Sequence, residues 1–193
     1  MRKFFVVTVL FASLLGLCSP GWAGIADDLA AGATPELAIQ NALAAGLPVD
    51  QVVQEALAAG IDGAAVVSAA IAAGADPAAV VTAAIGAGVD PATVVSAAIS
   101  AGAPAGVVVN AAVMASPEAE HADIVTAAVQ AAPEAEHSAI VTAAITAGCA
   151  IENVRQAAAA GGASEDAINQ GIEDATPPGP PDGTRPPDQP ASP

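Results

Sequence analysis

The chain has 193 residues, with 20 Asp or Glu against four Lys or Arg, so its formal net charge is −16 at pH 7. Hydrophobic residues make up 54% of the chain, but aromatic residues only 2%. Such a chain repels phosphate backbones and offers almost no rings on which bases could stack, which excludes nucleic acid as a partner.

The N-terminal residues 1–23 are typical of a secretory signal peptide. Two basic residues precede an apolar run over residues 4–17, which is too short for a stable membrane span. Small residues then occupy the two positions that a signal peptidase reads, so we expect cleavage between Ala23 and Gly24. The alternative is a lipoprotein acylated at Cys18, although Leu17 is larger than the residue that usually precedes such a cysteine.

Removal of this segment sharpens the composition of the mature chain. All three Phe and the single Trp lie in residues 1–23, and the chain has no Tyr, so no aromatic residue would remain. Arg155 and Arg185 would face 20 carboxylates, a net charge of −18. A single cysteine, Cys149, allows no internal disulfide; it predicts a small buried residue, or else an intermolecular bridge. We expect an exported bacterial protein, periplasmic or extracellular, without a membrane span in the mature chain.

A short repeat covers roughly residues 25–175. Glycines recur every 14 residues, the series continues through Ser116 and two units of 16 residues, and the last members are Gly148 and Gly162. Pairs such as Asp76-Pro77 stand two residues after a glycine and are typical of the N-cap and first position of a helix. The following glycine fits the left-handed position that ends a helix. Each unit therefore predicts a helix of about 11 residues and a turn of about three.

The spacing of bulky residues favours helices over strands. Val, Ile and Leu recur at the sixth, seventh and eleventh positions after most of these glycines, an arc of about 140° at about 100° per residue. The eighth position, or its equivalent in the two longer units, is polar in all ten units: Gln40, Gln54, Ser68, Thr82, Ser96, Asn110, Thr126, Thr142, Gln156 and Gln170. Helices this short are marginal alone, so they must stack. We predict an all-α fold, a single-domain α-solenoid of about ten helix-turn repeats over residues 24–175. It has one layer or two, with each helix contacting mainly its neighbours.

The C-terminal residues 176–193 read TPPGPPDGTRPPDQPASP and have no apolar periodicity. This composition predicts a disordered or polyproline II tail that acts as a spacer.

Two inserts, PEAEHADIV and PEAEHSAIV, lengthen the 16-residue units. They place His121 and His137 where other units carry the first proline of the helix, with Glu118 and Glu134 three residues earlier on the same helix face. Imidazole and carboxylate groups are zinc ligands, which makes these four residues candidates for a metal site. The alternative, which we adopt, is an acidic first turn stabilised by the helix dipole with a histidine at the edge of the packed face. No metal or cofactor is then predicted.

Residue patterns for catalysis are not evident in the sequence. No serine lies in a nucleophile-elbow motif, no glycine-rich phosphate loop follows a strand, and Cys149 has no histidine near it along the chain. We therefore predict no catalytic residue and a non-enzymatic, exported scaffold or protein-interaction module that binds a partner protein or itself. The alternative is a periplasmic metal-ion or small-ligand binding protein that uses the region of His121 and His137.

Overall fold

The computed structural model describes residues 24–176. Two segments lie outside the described residues. One is the predicted signal peptide, residues 1–23, with Cys18 and Ala23; the other is the Pro-rich tail after its first residue, residues 177–193. Within them the chain forms eleven α-helices and no strand: α1 (Ile25–Ala30), α2 (Pro35–Ala44), α3 (Val49–Ala58), α4 (Gly63–Ala72), α5 (Pro77–Gly86), α6 (Pro91–Ser100), α7 (Ala105–Ala115), α8 (His121–Ala131), α9 (His137–Thr146), α10 (Ile151–Gly161) and α11 (Glu165–Ala175). Short 3₁₀-helices, Glu118–Glu120 and Glu134–Glu136, lead into α8 and α9.

Helix starts follow the capping pattern of the sequence. The Asp76 carboxylate accepts from the Ala79 N–H at 3.0 Å, and the Asp90 carboxylate accepts from the Thr93 N–H at 2.9 Å. Asp62, Thr34 and Ser164 cap α4, α2 and α11 in the same way. Each cap satisfies a backbone donor that has no partner within its own helix.

Most helices end on a glycine that no other residue type could replace without strain. Among the described residues, eight glycines have φ between +84° and +105°: Gly32, Gly46, Gly60, Gly74, Gly88, Gly102, Gly148 and Gly162. At the end of α5, the Gly88 N–H donates to Ile85 O at 2.9 Å and the Val89 N–H donates to Ala84 O at 3.0 Å. The last carbonyls of the helix are thereby satisfied, and the chain turns into the next unit.

The helices form two layers. From α2 onward each helix packs most extensively on the helix two places along the chain, and less on its immediate neighbours in sequence. Odd-numbered helices therefore form one layer and even-numbered helices the other. This confirms the α-solenoid and selects its two-layer form, in which each helix has its main contacts with its neighbours within the layer. The short turn places the next helix in the opposite layer, so same-layer neighbours are two units apart.

A single hydrophobic core runs between the layers along the solenoid. Each central helix contributes a pair of adjacent bulky residues, such as Val80 and Val81, that are completely buried. Because adjacent residues on a helix point about 100° apart, such a pair can contact both the opposite layer and a neighbour in its own layer. The ten residues of the polar row avoid this core, and none of them is buried.

Two members of the polar row bond across their own layer. The Thr126 hydroxyl donates to Ala157 O of α10 at 3.2 Å, and the Thr142 hydroxyl donates to Gly171 O of α11 at 3.1 Å. The polar row is therefore not uniformly solvated, since in the C-terminal helices it fixes the spacing between same-layer neighbours.

Candidate functional site

The two inserts replace glycine as a helix terminator. After α7 and α8 the chain is extended, with φ −113° at Ser116 and φ −88° at Ala132, so no left-handed residue supplies N–H donors. His121 Nε2 lies 3.1 Å from Val113 O and 3.3 Å from Ser116 O. Because a carbonyl can only accept, Nε2 carries the proton and donates. The imidazole thus caps the C-terminus of α7.

His137 has the same role at the end of α8. Its Nε2 lies 3.3 Å from Ala132 O, and the residue is only 7% exposed. Its Nδ1 is buried and has no hydrogen-bond partner among the described residues. With Nε2 protonated, this atom is an unused acceptor in a dry environment, which is an unfavourable position for a polar group.

His121 differs because its Nδ1 has a partner, the thiol of Cys149 at 3.4 Å. With Nε2 protonated, the thiol is the donor. Burial, and secondarily the Glu118 carboxylate, raise the pKa of Cys149, so the thiol keeps its proton at neutral pH. Sequence separation hid this pair, since the two residues are 28 positions apart. In a two-layer solenoid, residues two repeat units apart lie on adjacent helices of the same layer. The separation of His121 and Cys149 therefore indicates a contact only when the two layers are known.

A cleft of about 310 Å³ opens beside this pair. Glu118, His121, Cys149 and Asn153 supply its polar lining. A raised thiol pKa opposes nucleophilic chemistry, because the thiolate is the reactive species. The cleft can hold a small molecule or an ion, but Cys149 in its present setting is a hydrogen-bond donor.

The four metal candidates are not gathered into one ligand set. His121 and His137 bond to different helix ends, Glu118 lines the cleft, and Glu134 is exposed. Among residues 24–176, no group of three or more His, Cys, Asp or Glu could hold a metal ion.

Glu136 caps the N-terminus of another helix, a role that the sequence did not indicate. Its carboxylate accepts from the Ala105 N–H at 3.0 Å and so caps the start of α7, the neighbour of α9 in the odd layer. The residue before α7 is Pro104, which has no side-chain cap to offer. The equivalent insert residue, Glu120, precedes α8, whose layer neighbour α6 already has Asp90 as its N-cap.

A wide concave surface lies on the odd layer, across α5, α7, α9 and α11. We call it the α7 groove; it has a volume of about 890 Å³ and its lining includes Ala78, Thr82, Gly106, Val107, Ala111, Met114, Ala139, Thr142, Ala143 and Asp174. Met114 is 75% exposed and Val107 is 45% exposed, while the rest of the lining is mostly Ala and Thr. Sequence reasoning missed this surface because it arises only where four helices of one layer lie side by side.

Comparison of the chain with family models, with curated proteins and with solved structures found no match. Within the described part of the chain, no helix is long and apolar enough to cross a bilayer.

Proposed function

We propose that this protein is an exported, non-enzymatic helical repeat protein that binds another protein through the α7 groove. The observation that carries the proposal is the exposure of Met114 and Val107 inside a wide concavity. Apolar side chains that stand together on a concave surface are typical of interaction sites, because a partner gains by covering them.

The composition of α7 supports this use of the groove. The helix Ala105–Ala115 has no charged side chain, although it lies in a chain with 20 carboxylates. Thr and Asn side chains at the groove supply a few hydrogen-bonding groups among small apolar ones. Such a surface is concave and exposes apolar area to a partner, but it has few titratable groups for general acid–base catalysis.

The proposal that the protein is exported depends on residues 1–23, which lie outside the described part. Expression in a bacterial host, followed by N-terminal sequencing of the secreted product, tests it: a mature chain that begins at Gly24 is expected. A product that keeps residues 1–23 would contradict export. A product that begins at a lipid-modified Cys18 would show that the protein is exported but lipid-anchored.

A double variant, Val107→Thr with Met114→Gln, tests the groove itself. Both side chains are exposed, so their replacement should leave the fold intact. The matched control is Leu37→Gln on α2, because Leu37 is 47% exposed but lies in the even layer. Pull-downs from the native envelope fraction should recover a partner with wild type and control, and lose it with the double variant. The same proteins recovered in all three would contradict a groove-mediated interaction.

A second candidate function is binding of a metal ion or a small ligand in the region of His121 and His137. The observation that favours it is the contact between His121 and Cys149 beside a cleft of about 310 Å³. Thiolate and imidazole are both zinc and copper ligands. Titration of zinc and copper into wild type and into His121→Ala/His137→Ala decides the matter, since an unchanged isotherm would eliminate this function.

A further inference from the structure

We infer that the partner segment taken by the α7 groove is a cationic amphipathic α-helix. This inference rests on the proposed function and names the chemistry of its partner.

The dimensions of the groove match a helix. It crosses four helices of one layer, and three interhelical spacings of 8–10 Å give a length of about 24–30 Å. A helix of about 16–20 residues has this length and is about 10–12 Å wide. A segment of that size could lie along the whole groove.

The lining suits the apolar face of a helix. Small side chains such as Ala139 and Ala143 let a helix backbone approach closely. Val107 and Met114 then supply the larger apolar contacts, and a methionine adapts its shape to many partners. Recognition of an amphipathic helix in an apolar groove works by this combination.

Polyproline segments fit the groove less well. Grooves that recognise them are lined by aromatic rings, and every aromatic residue of this chain lies in residues 1–23. The Pro-rich tail of this protein is disfavoured for the same reason, and also because Asp182 and Asp188 outnumber Arg185 within it. A second copy is disfavoured because each mature chain would bring a net charge of −18.

Three carboxylates lie on or beside the groove, and no cation among residues 24–176 lies in the same layer to balance them. Asp174 lines it, Asp76 caps α5 two residues before the lining residue Ala78, and Glu136 caps α7 next to Gly106. Arg155 is the only Lys or Arg between residues 24 and 176; it lies on α10 in the other layer and donates to Asn169 at 3.1 Å. A partner with Lys or Arg flanking its apolar face is therefore complementary in charge, whereas an acidic helix would be repelled.

The fluorescence of a Trp-containing peptide tests the inference, because the mature chain contributes no Trp or Tyr emission of its own. The chain from Gly24 to Pro193 has no Trp or Tyr, so the emission of a Trp in the peptide is read without background. The probe is an 18-residue Leu/Ala/Lys amphipathic helix with one Trp on its apolar face. One control peptide has the same residues in a non-amphipathic order, and another has Glu in place of Lys.

The Lys helix should bind with a blue shift of its Trp emission, at least tenfold more tightly than the reordered peptide, and binding of the Glu helix should be undetectable. The variant Val107→Thr/Met114→Gln should weaken binding at least tenfold, while Leu37→Gln leaves it unchanged. Asp174→Asn should reduce the salt dependence of binding, because one rim charge is removed. Equal binding of the reordered peptide, or full binding by the groove variant, would overturn the inference by showing general attraction to an acidic chain.

Failure of this inference is distinguishable from failure of the proposed function. If the Lys helix fails but the native partner is still lost in the groove variant, the groove is an interaction site and only the class of its partner is wrong. If the native partner is retained by the groove variant, the proposed function itself is wrong.

Discussion

Replacement of Gly171 by Ala tests how closely α11 packs on α9. In a helix interior, Ala is more favourable than Gly by about 1 kcal/mol, so propensity alone predicts a more stable protein. A Cβ at this position, however, would lie 2.6 Å from Ser138 O and 2.6 Å from Val141 Cβ. One of these atoms is backbone and the other is the branch point of a buried side chain, so neither can rotate away.

The helix α11 must therefore move outward to admit the extra methyl group. Overpacking of this kind costs about 1–3 kcal/mol. The movement also stretches the bond from the Thr142 hydroxyl to Gly171 O, 3.1 Å long, whose net contribution is about 1 kcal/mol. Set against the gain in propensity, the expected net loss of stability is about 1–3 kcal/mol.

Gly86 is the matched control, since it is also helical but a Cβ there would meet nothing within 4 Å. Gly86→Ala should stabilise the protein by up to about 1 kcal/mol, the opposite sign for the same substitution. Urea denaturation followed by circular dichroism at 222 nm measures both, and amide exchange in α11 detects local detachment of this terminal helix. The close approach of α11 to α9 would be refuted if the Gly171→Ala variant were as stable as wild type, or if Gly171→Ala and Gly86→Ala lowered the free energy of unfolding equally.

Three further predictions concern the inserts and the thiol. Glu136→Ala should destabilise the protein by about 0.5–2 kcal/mol in urea, because it removes the side-chain acceptor that caps the start of α7, whereas Glu120→Ala should be close to neutral; equal effects would contradict this cap. Because burial and a nearby carboxylate raise the pKa of Cys149 above its ordinary value of 9.0, the folded chain holds this proton more tightly than the unfolded chain. The resulting stabilisation is complete below pH 9 and is lost as the pH rises through the folded pKa, so Cys149→Ala should flatten the alkaline decline of the melting temperature; parallel curves would contradict the assignment. Ala163→Cys places a thiol at the repeat position equivalent to Cys149, two units from His137. It should stabilise the protein by about 0.5–1 kcal/mol by donating to His137 Nδ1, which has no partner among residues 24–176; a loss of stability, or no change, would show that the two units are not equivalent.

The helical fold could be predicted from sequence because every local signal agrees with it. Asp76 with Pro77 starts a helix, Gly88 ends it, and the bulky residues between them recur with a helical period. These signals are repeated in unit after unit, so an error in one would not change the fold. Their consistency is what makes a repeat sequence informative about architecture.

The layering and the candidate sites could not be predicted in the same way, because they depend on residues two units apart. The His121–Cys149 contact joins α8 to α10, the Glu136 cap joins α9 to α7, and the α7 groove needs four helices of one layer. A periodic pattern defines which face of a helix is apolar, but it does not define which of several identical faces will meet. Residues two units apart in sequence are spatial neighbours only because the helices alternate between two layers, and the sequence pattern does not specify this alternation.

The histidines are best understood as the reason why two units can have 16 residues instead of 14. A left-handed glycine ends a helix with its own backbone. Where Ser116 and Ala132 stand instead, the longer connection includes a three-residue 3₁₀ turn that brings an imidazole back to the carbonyls at the end of the preceding helix. Each cap uses Nε2 and leaves Nδ1 as an acceptor. In one unit Cys149 occupies that acceptor and in the other nothing among the described residues does. Architecture therefore accounts for the presence of both histidines, and any ligand chemistry in this region has to begin at Nδ1.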